Sequence, residues 1–276
     1  MSMGTKTKGW QLPLHTVLVV IVLMTIYPLV SMIFKSLKNF EQSQHSPWGL
    51  SFPIHFENYA VAWEAVRPFM FNTVVVAAVA TIGIVVISAA TGFVIARFNF
   101  PGKELIFYII ISLMMIPGIL SLIPLFILIR DLELINTKAG LIGPYIAGGI
   151  PFGVFLMRNF MGGISKEMFE AASIDGASLL KLFTHIAVPL SRPIISALVI
   201  LNILNFWNDF ILPSIVTMDD AQKTVAIGLL AFNNAFNLQQ GPQFAGYIIS
   251  SLPLIGLFVI ASKQFIAGMT SGAMKL

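Results

Sequence analysis

Long apolar stretches alternate with short polar ones along the chain, and their lengths decide what they can be. A helix needs about 20 mostly apolar residues to cross the hydrocarbon of a bilayer. Intervals free of Asp, Glu, Lys and Arg run between Lys8 and Lys35 (26 residues), Arg67 and Arg97 (29), Glu104 and Arg130 (25), and Lys138 and Arg158 (19). Two more run between Arg192 and Asp209 (16, with apolar character continuing through Ile215) and between Lys223 and Lys263 (39, apolar from Tyr247 onward). The pattern predicts an all-α membrane protein with six spans, near 12–34, 69–95, 105–129, 139–157, 194–216 and 246–266. The first interval is longer than the apolar core of a secretory signal, about 7–15 residues. No small-x-small cleavage site follows it, and Lys35 and Lys38 do, so it reads as an uncleaved first helix.

Composition narrows the class. Of 276 residues, 57% are hydrophobic and 10% charged, and the mean hydropathy is +0.88. Soluble domains carry roughly 25% charged residues; this chain has too few to cover a water-facing surface, which excludes an ordinary soluble enzyme and disorder. The absence of cysteine excludes a disulfide framework, a thiolate metal site and a cysteine nucleophile. The net charge of +4 comes from basic residues scattered between apolar runs, which points to membrane lipid rather than nucleic acid as the partner. With the N-terminus inside, ten Lys and Arg fall on the inner side and six on the outer. That bias predicts both termini in the cytoplasm, as an even number of spans requires.

Three connections are long. Segments 35–68 and 217–245 fall outside; the second is rich in amides, with Asn233, Asn234, Asn237, Gln239 and Gln240. These two are either solvated connections or docking surfaces for an extracytoplasmic partner. Segment 159–192 falls inside and differs in kind. Ser165 can cap a helix, Glu167 and Glu170 suit its early turns, and Gly176 can end it. Leu179, Leu182, Phe183 and Ile186 then recur at helical spacing, and Pro189 and Pro193 break the chain before the fifth span. Two short helices lying across the spans are expected, with an unpartnered interfacial hairpin as the bland alternative.

Catalytic devices are missing. The Gly102-Lys103 pair is followed by Glu104, so no phosphate-binding loop forms. His15, His45, His55 and His185 lie far apart in sequence, and no metal site is expected. Asp209 is the acid inside a predicted span, where carboxylates face the protein or water. With Asn202, Asn205, Trp207 and Asn208 it forms either a polar lining for a hydroxyl-rich solute or an inter-helix hydrogen-bonding set.

Segment 159–192 also carries a spaced pattern: Glu170-Ala171-Ala172, three residues, Gly176, nine residues, Ile186, one residue, Val188-Pro189. It resembles the E-A-A-x3-G-x9-I-x-L-P motif of permease subunits of binding-protein-dependent ABC importers, with Val188 for Leu as the departure. Further segments are similar to the carbohydrate-uptake branch, specifically the second permease of maltose-type transporters. These are Tyr27-Pro28 through Ser36-Leu37-Lys38, Phe56-Glu57-Asn58-Tyr59, the turn Ala96-Arg97-Phe98-Asn99-Phe100-Pro101-Gly102-Lys103, Trp207-Asn208-Asp209, and the tail Gly268-Met269-Thr270-Ser271-Gly272-Ala273-Met274-Lys275.

The resemblance implies the type I ABC importer permease fold and a non-catalytic, multi-pass subunit of a bacterial or archaeal cytoplasmic (inner) membrane. The implied cargo is a mono- or oligosaccharide. A second homologous permease would complete the pathway, and an extracytoplasmic sugar-binding protein would deliver the solute. A pair of cytoplasmic ATPase subunits would hold the ATP and Mg; this chain itself would bind no cofactor. Glu170, Ala171, Ala172, Asp175 and Gly176 would dock on the ATPase, and Gly268, Thr270, Gly272 and Lys275 would reach toward it. The amides of 217–245 would meet the binding protein. A polyol or glycerol-phosphate permease and a secondary transporter are the alternatives; buried coupling carboxylates and inverted repeats would mark the latter, and one such carboxylate and no obvious repeat are seen.

Overall fold

The structure is a computed structural model that describes the backbone of residues 8–235 and 239–273, with side chains for 13–232 and 239–260. The elements are α1 (Lys8–Ser36), α2 (Phe40–His45), α3 (Glu57–Arg97), α4 (Lys103–Ser112), α5 (Leu122–Asp131), α6 (Ala139–Gly162) and α7 (Lys166–Ile174). They continue with α8 (Leu179–Lys181), a π-turn over Leu182–Ala187, α9 (Val188–Leu190), α10 (Arg192–Asn208), α11 (Ile211–Val216), α12 (Val225–Ala235) and α13 (Gln240–Ala273). Among the described residues there is no strand. Four helices are long and apolar enough to cross a membrane, or six if each of two sharply bent pairs counts as one span.

The chain divides into two compact units, Met1–Val66 with Leu229–Ser251, and Arg67–Gly228 with Leu252–Leu276. In the first, α1 buries none of its most apolar window. Its C-terminal end is held firmly. The Asn58 amide donates to the carbonyls of Ser36 and Lys38, at 2.9 and 3.0 Å, satisfying acceptors that a helix end leaves orphaned. The Ser36 hydroxyl shares a 2.8 Å hydrogen bond with Tyr59. Asn39 and Gln42 close a reciprocal capping box on α2. Lys38 is fully buried and its ammonium donates to the Ser46 carbonyl; burial, and then the nearby Lys35 charge, push its pKa down. Segment 35–68 is therefore a folded substructure. Asn58→Ala would leave two buried carbonyls short of a donor and is expected to cost about 1–3 kcal/mol, read as a lower melting midpoint in detergent. Asn58→Asp, which donates nothing, should fare no better.

The second unit is built on α3, α6 and α10. Val76, Ala80, Ile84 and Phe93 of α3 pack with Leu141, Met157 and Met161 of α6, Leu198 and Phe206 of α10, and Leu212 and Val216 of α11. Helices in lipid gain little from hydrophobicity when they associate, so close approach and packing carry the contact. Gly92 allows it here: a Cβ there would lie 2.5 Å from Met157 Cβ and 2.9 Å from the Arg158 nitrogen.

Two predicted spans are not straight. Within 105–129, α4 and α5 meet at 89°. Pro117 lacks an N–H and holds Ile116 extended (φ −83°, ψ 115°), while 3-10 turns fill the corner on either side. Within 194–216, α10 stops at Asp209 and restarts as α11. Pro213 could not have donated back to the Asp209 carbonyl, and the Asp209 carboxylate instead accepts from the Ile211 nitrogen at 3.0 Å. The expected loop 217–245 contains α12, whose apolar run begins at Val225. Segment 217–224 is pinned from both sides. Asn72 donates to the carbonyls of Ala221 and Lys223, Thr73 accepts from the Val225 nitrogen, and Asn136 (φ 57°) accepts from the Met218 and Asp219 nitrogens.

Candidate functional site

α7 ends in a Schellman motif. The Ala177 nitrogen donates to the Ala172 carbonyl (2.9 Å) and the Gly176 nitrogen to that of Ser173 (3.1 Å). Gly176 sits at φ +80°, with nothing within 4 Å of where a Cβ would stand. A side chain there meets a strained backbone and no collision. Gly176→Ala should therefore cost about 1–2 kcal/mol, and Gly176→Pro, whose ring fixes φ near −65°, should break the turn. Melting midpoints of the two variants would rank them in that order. Ser165 occupies the N-cap position as expected, but its hydroxyl donates to the Glu167 carboxylate and caps no backbone nitrogen. That bond, above all, holds the Glu167 carboxyl below its ordinary pKa.

The two faces of this segment differ. Phe169 is buried against Phe93 of α3, with ring centroids 6.1 Å apart, and Phe183 of the π-turn lies 5.3 Å from the same ring. Leu182, Phe183 and Ile186 pack on the core, whereas Leu179, the first of the predicted stripe, is exposed. The opposite face carries Glu170, Ala171, Asp175 and Gly176, all exposed, with Ala172 half-buried. Glu170 makes no hydrogen bond or ion pair with any described residue. In the same segment Met168, Ile174 (86% exposed), Leu179 and Leu180 are exposed apolar side chains. Such side chains, with a free carboxylate in the same segment, suit a protein contact. A π-turn placed here was not signalled by the leucine spacing; Pro189, two residues beyond its end, was the available hint.

Arg97, the last residue of α3, joins this segment to the spans. Its guanidinium donates to the carbonyls of Met161 and Ile164 and lies 4.1 Å from the centroid of the Phe169 ring. Arg158 of α6 pairs with Glu104 of α4 at 2.7 Å and lies over the ring of Phe107, also on α4.

The polar residues of the fifth predicted span are not brought to one face. Asn205 and Asn208 are exposed, and Asn208 donates to the Leu204 carbonyl. Asn202 is buried (8% exposed), and its amide nitrogen has no partner among the described residues. Trp207 (5% exposed) lines an apolar hollow of about 180 Å³ with Ala77, Ile203, Pro253 and Leu257. The Asp209 carboxylate sits in the break between α10 and α11 and accepts from the Tyr145 hydroxyl at 2.7 Å, the Tyr145 ring stacking on Phe206. Tyr145→Phe removes that donor and should lower stability by about 1–2 kcal/mol, while Asp209→Asn, which keeps an acceptor, should cost less; thermal midpoints would compare them.

Of the expected external contacts, Gln239 is exposed and Gln240 half-buried at the start of α13. Asn233 and Asn234 belong to α12, with side chains outside the described residues, and Asn237 lies outside them altogether. Gly268, Thr270 and Gly272 fall on the backbone of α13, their surroundings undescribed, and Lys275 lies outside the described residues. Among the described residues no three His, Asp or Glu side chains gather as metal ligands.

Apolar helices of membrane-crossing length, broken by prolines, with a docked pair of short helices presenting an uncovered face, define a multi-pass membrane component built to work with other proteins. Residues 88–270 match the family of binding-protein-dependent transport system inner membrane components. The chain belongs to that family: it is an ABC importer permease, a transport subunit and not an enzyme. It is 35% identical over 250 residues, 90% of this chain and 83% of the other, to the probable ABC transporter permease protein YurM of Bacillus subtilis. It is 29% identical over 265 residues, 95% and 88%, to the diacetylchitobiose uptake system permease protein NgcG of Streptomyces coelicolor. In fold it is similar to a chain in the crystal structure of a bacterial ABC transporter involved in the import of the acidic polysaccharide alginate. The TM-score is 0.82 at 19% identity, covering 96% of this chain and all of the other.

Proposed function

We propose that this chain forms half of the translocation pathway of an ATP-driven importer for a neutral mono- or oligosaccharide, coupled to cytoplasmic ATPases through the segment 159–192. The observation that carries the coupling is the two-faced character of α7: Phe169 packed against α3, and Glu170 exposed and bonded to no described residue, in a segment that also exposes Ile174, Leu179 and Leu180. In this reading α4 with α5 forms one span and α10 with α11 another, which with the four long helices gives six, and both termini lie in the cytoplasm of a bacterial or archaeal cell. α3, with 41 residues, would extend about 60 Å if straight, twice the roughly 30 Å of hydrocarbon, so its polar N-terminal end stands outside the bilayer.

ATP binding closes the ATPase pair and draws the docked helices together. Packed spans then switch between discrete arrangements, exposing the cavity to either side in turn. A homologous permease supplies the other half, and a sugar-binding protein meets the outer surface. Its docking must favour one arrangement over the other to shift the equilibrium. The sugar class is supported by the likeness to the diacetylchitobiose uptake permease along 95% of this chain.

The test is uptake of labelled oligosaccharides by vesicles holding this chain with its co-encoded permease, ATPase and binding protein. Uptake should require both ATP inside and binding protein outside. Accumulation driven by an ion gradient alone would instead support a secondary transporter.

A further inference from the structure

A single side chain of α3 touches both α7 and the end of α6. The Arg97 guanidinium donates to the Met161 carbonyl of α6 and, at 2.6 Å, to the Ile164 carbonyl just beyond it. Its flat face covers the ring of Phe169, the buried side chain of α7. Phe93 stands one turn earlier on the same face of α3 and touches both Phe169 and Phe183. Arg97 and Phe93 together therefore grip the short helices on either side of Gly176. Beneath them lies a hollow of about 250 Å³ lined by Phe93, Arg97, Phe169, Glu170 and Leu182, so the grip lies next to the exposed carboxylate without using it.

The chemistry of arginine suits this position. A planar fork reaches two carbonyls and stacks on a ring at the same time; a lysine ammonium is a point charge that does one or the other. The carbonyls it takes lie at the C-terminal end of α6 and just beyond it, where a cation is also favoured by the helix dipole. The guanidinium is thus held by backbone on one side and by an aromatic face on the other. Displacement of α7 must carry it along.

We propose that Arg97 is a positioning residue that transmits movement of α7 to α3, a strut between the docking helix and the spans and not itself an ATPase contact. The proposal rests on the reading of α7 as the ATPase-docking helix. Its test uses the assembled transporter in vesicles, with Arg97→Lys, Arg97→Gln and Phe169→Leu. Three quantities are measured together: retained ATPase subunits, ATP hydrolysis stimulated by the binding protein, and solute uptake. Both Arg97 variants should retain the ATPase and hydrolyse ATP, while solute moved per ATP falls about tenfold, the scale of ordinary coupling between sites. Phe169→Leu should fall part of the way, and Arg97→Lys, despite its charge, should not rescue. An Arg97 side chain that merely supports the fold would lower hydrolysis and uptake in proportion, leaving the ratio unchanged, and that result would overturn the strut. Loss of the ATPase subunits from Arg97→Lys would overturn it too. Glu170→Ala in the same vesicles separates the premises. If that variant kept both its ATPase and its uptake, the docking reading would fall; if it lost them while Arg97→Lys kept a normal ratio, the strut alone would.

Discussion

Glu170→Ala should leave the chain inserted and folded yet cut binding-protein-dependent uptake by about tenfold or more. Its side chain is exposed and bonded to no described residue, and surface substitutions of that kind usually change stability by no more than about 0.5 kcal/mol. On the proposed docking, what it should lose is an interaction with another subunit. Truncating one partner of a charge pair buried at an interface costs about 2–5 kcal/mol, and each 1.4 kcal/mol is about a tenfold change in affinity. The measurements are uptake in vesicles and the amount of ATPase that co-purifies with the chain. Glu170→Gln, which keeps the shape and removes the charge, would divide the loss between packing and electrostatics. Normal values of both quantities in Glu170→Ala would remove the docking face from this helix.

The second large effect is expected inside the membrane. Gly92→Val places atoms against Met157 Cβ and the Arg158 backbone nitrogen, neither of which is the far end of a flexible side chain. Overpacking of a tight core costs about 1–3 kcal/mol when neighbours can shift, and backbone gives way least. α3 and α6 would have to separate along the contact that holds the core of the larger unit. The yield of monodisperse protein and its melting midpoint should both drop, with Gly92→Ala intermediate. Gly143→Ala, on α6 with open space around it, is the matched control and should behave as the native chain does.

The ends of the simpler helices were legible because charges mark them. α1 ends within a residue of Lys35 and α6 begins just after Lys138, where water begins to compete for the side chains. Proline could not be read as simply. Pro144 and Pro151 lie inside an unbroken α6, and Pro28, Pro68 and Pro253 inside other helices. Pro117 breaks its span, yet the glycine beside it is no distinguishing sign, because Gly143 adjoins Pro144 within α6. The α7 turn was readable to the residue because Gly176 is needed for its φ. Asp209 was harder: counting charges places it in a span, but its hydrogen-bond partner, Tyr145, comes from another helix. Asn72 and Asn136, which hold segment 217–224, are lone amides in no motif and signalled nothing. Arg97 counted first as a topological charge. Its grip on Phe169 depends on a contact between residues 72 positions apart, which only the folded chain creates.

The bareness of α1 has a consequence for how the subunit comes apart. Its helical hydrogen bonds are internal to the segment and its apolar window is left unburied by the described residues, so a surrounding micelle or bilayer keeps it helical whatever happens elsewhere. Denaturation in detergent will then not be all-or-none. Tertiary probes near Phe206 should report a cooperative loss of packing, while far-ultraviolet ellipticity retains the contribution of α1 beyond that transition. A midpoint taken from ellipticity alone would blend two populations, a melted bundle and a helix that never melted.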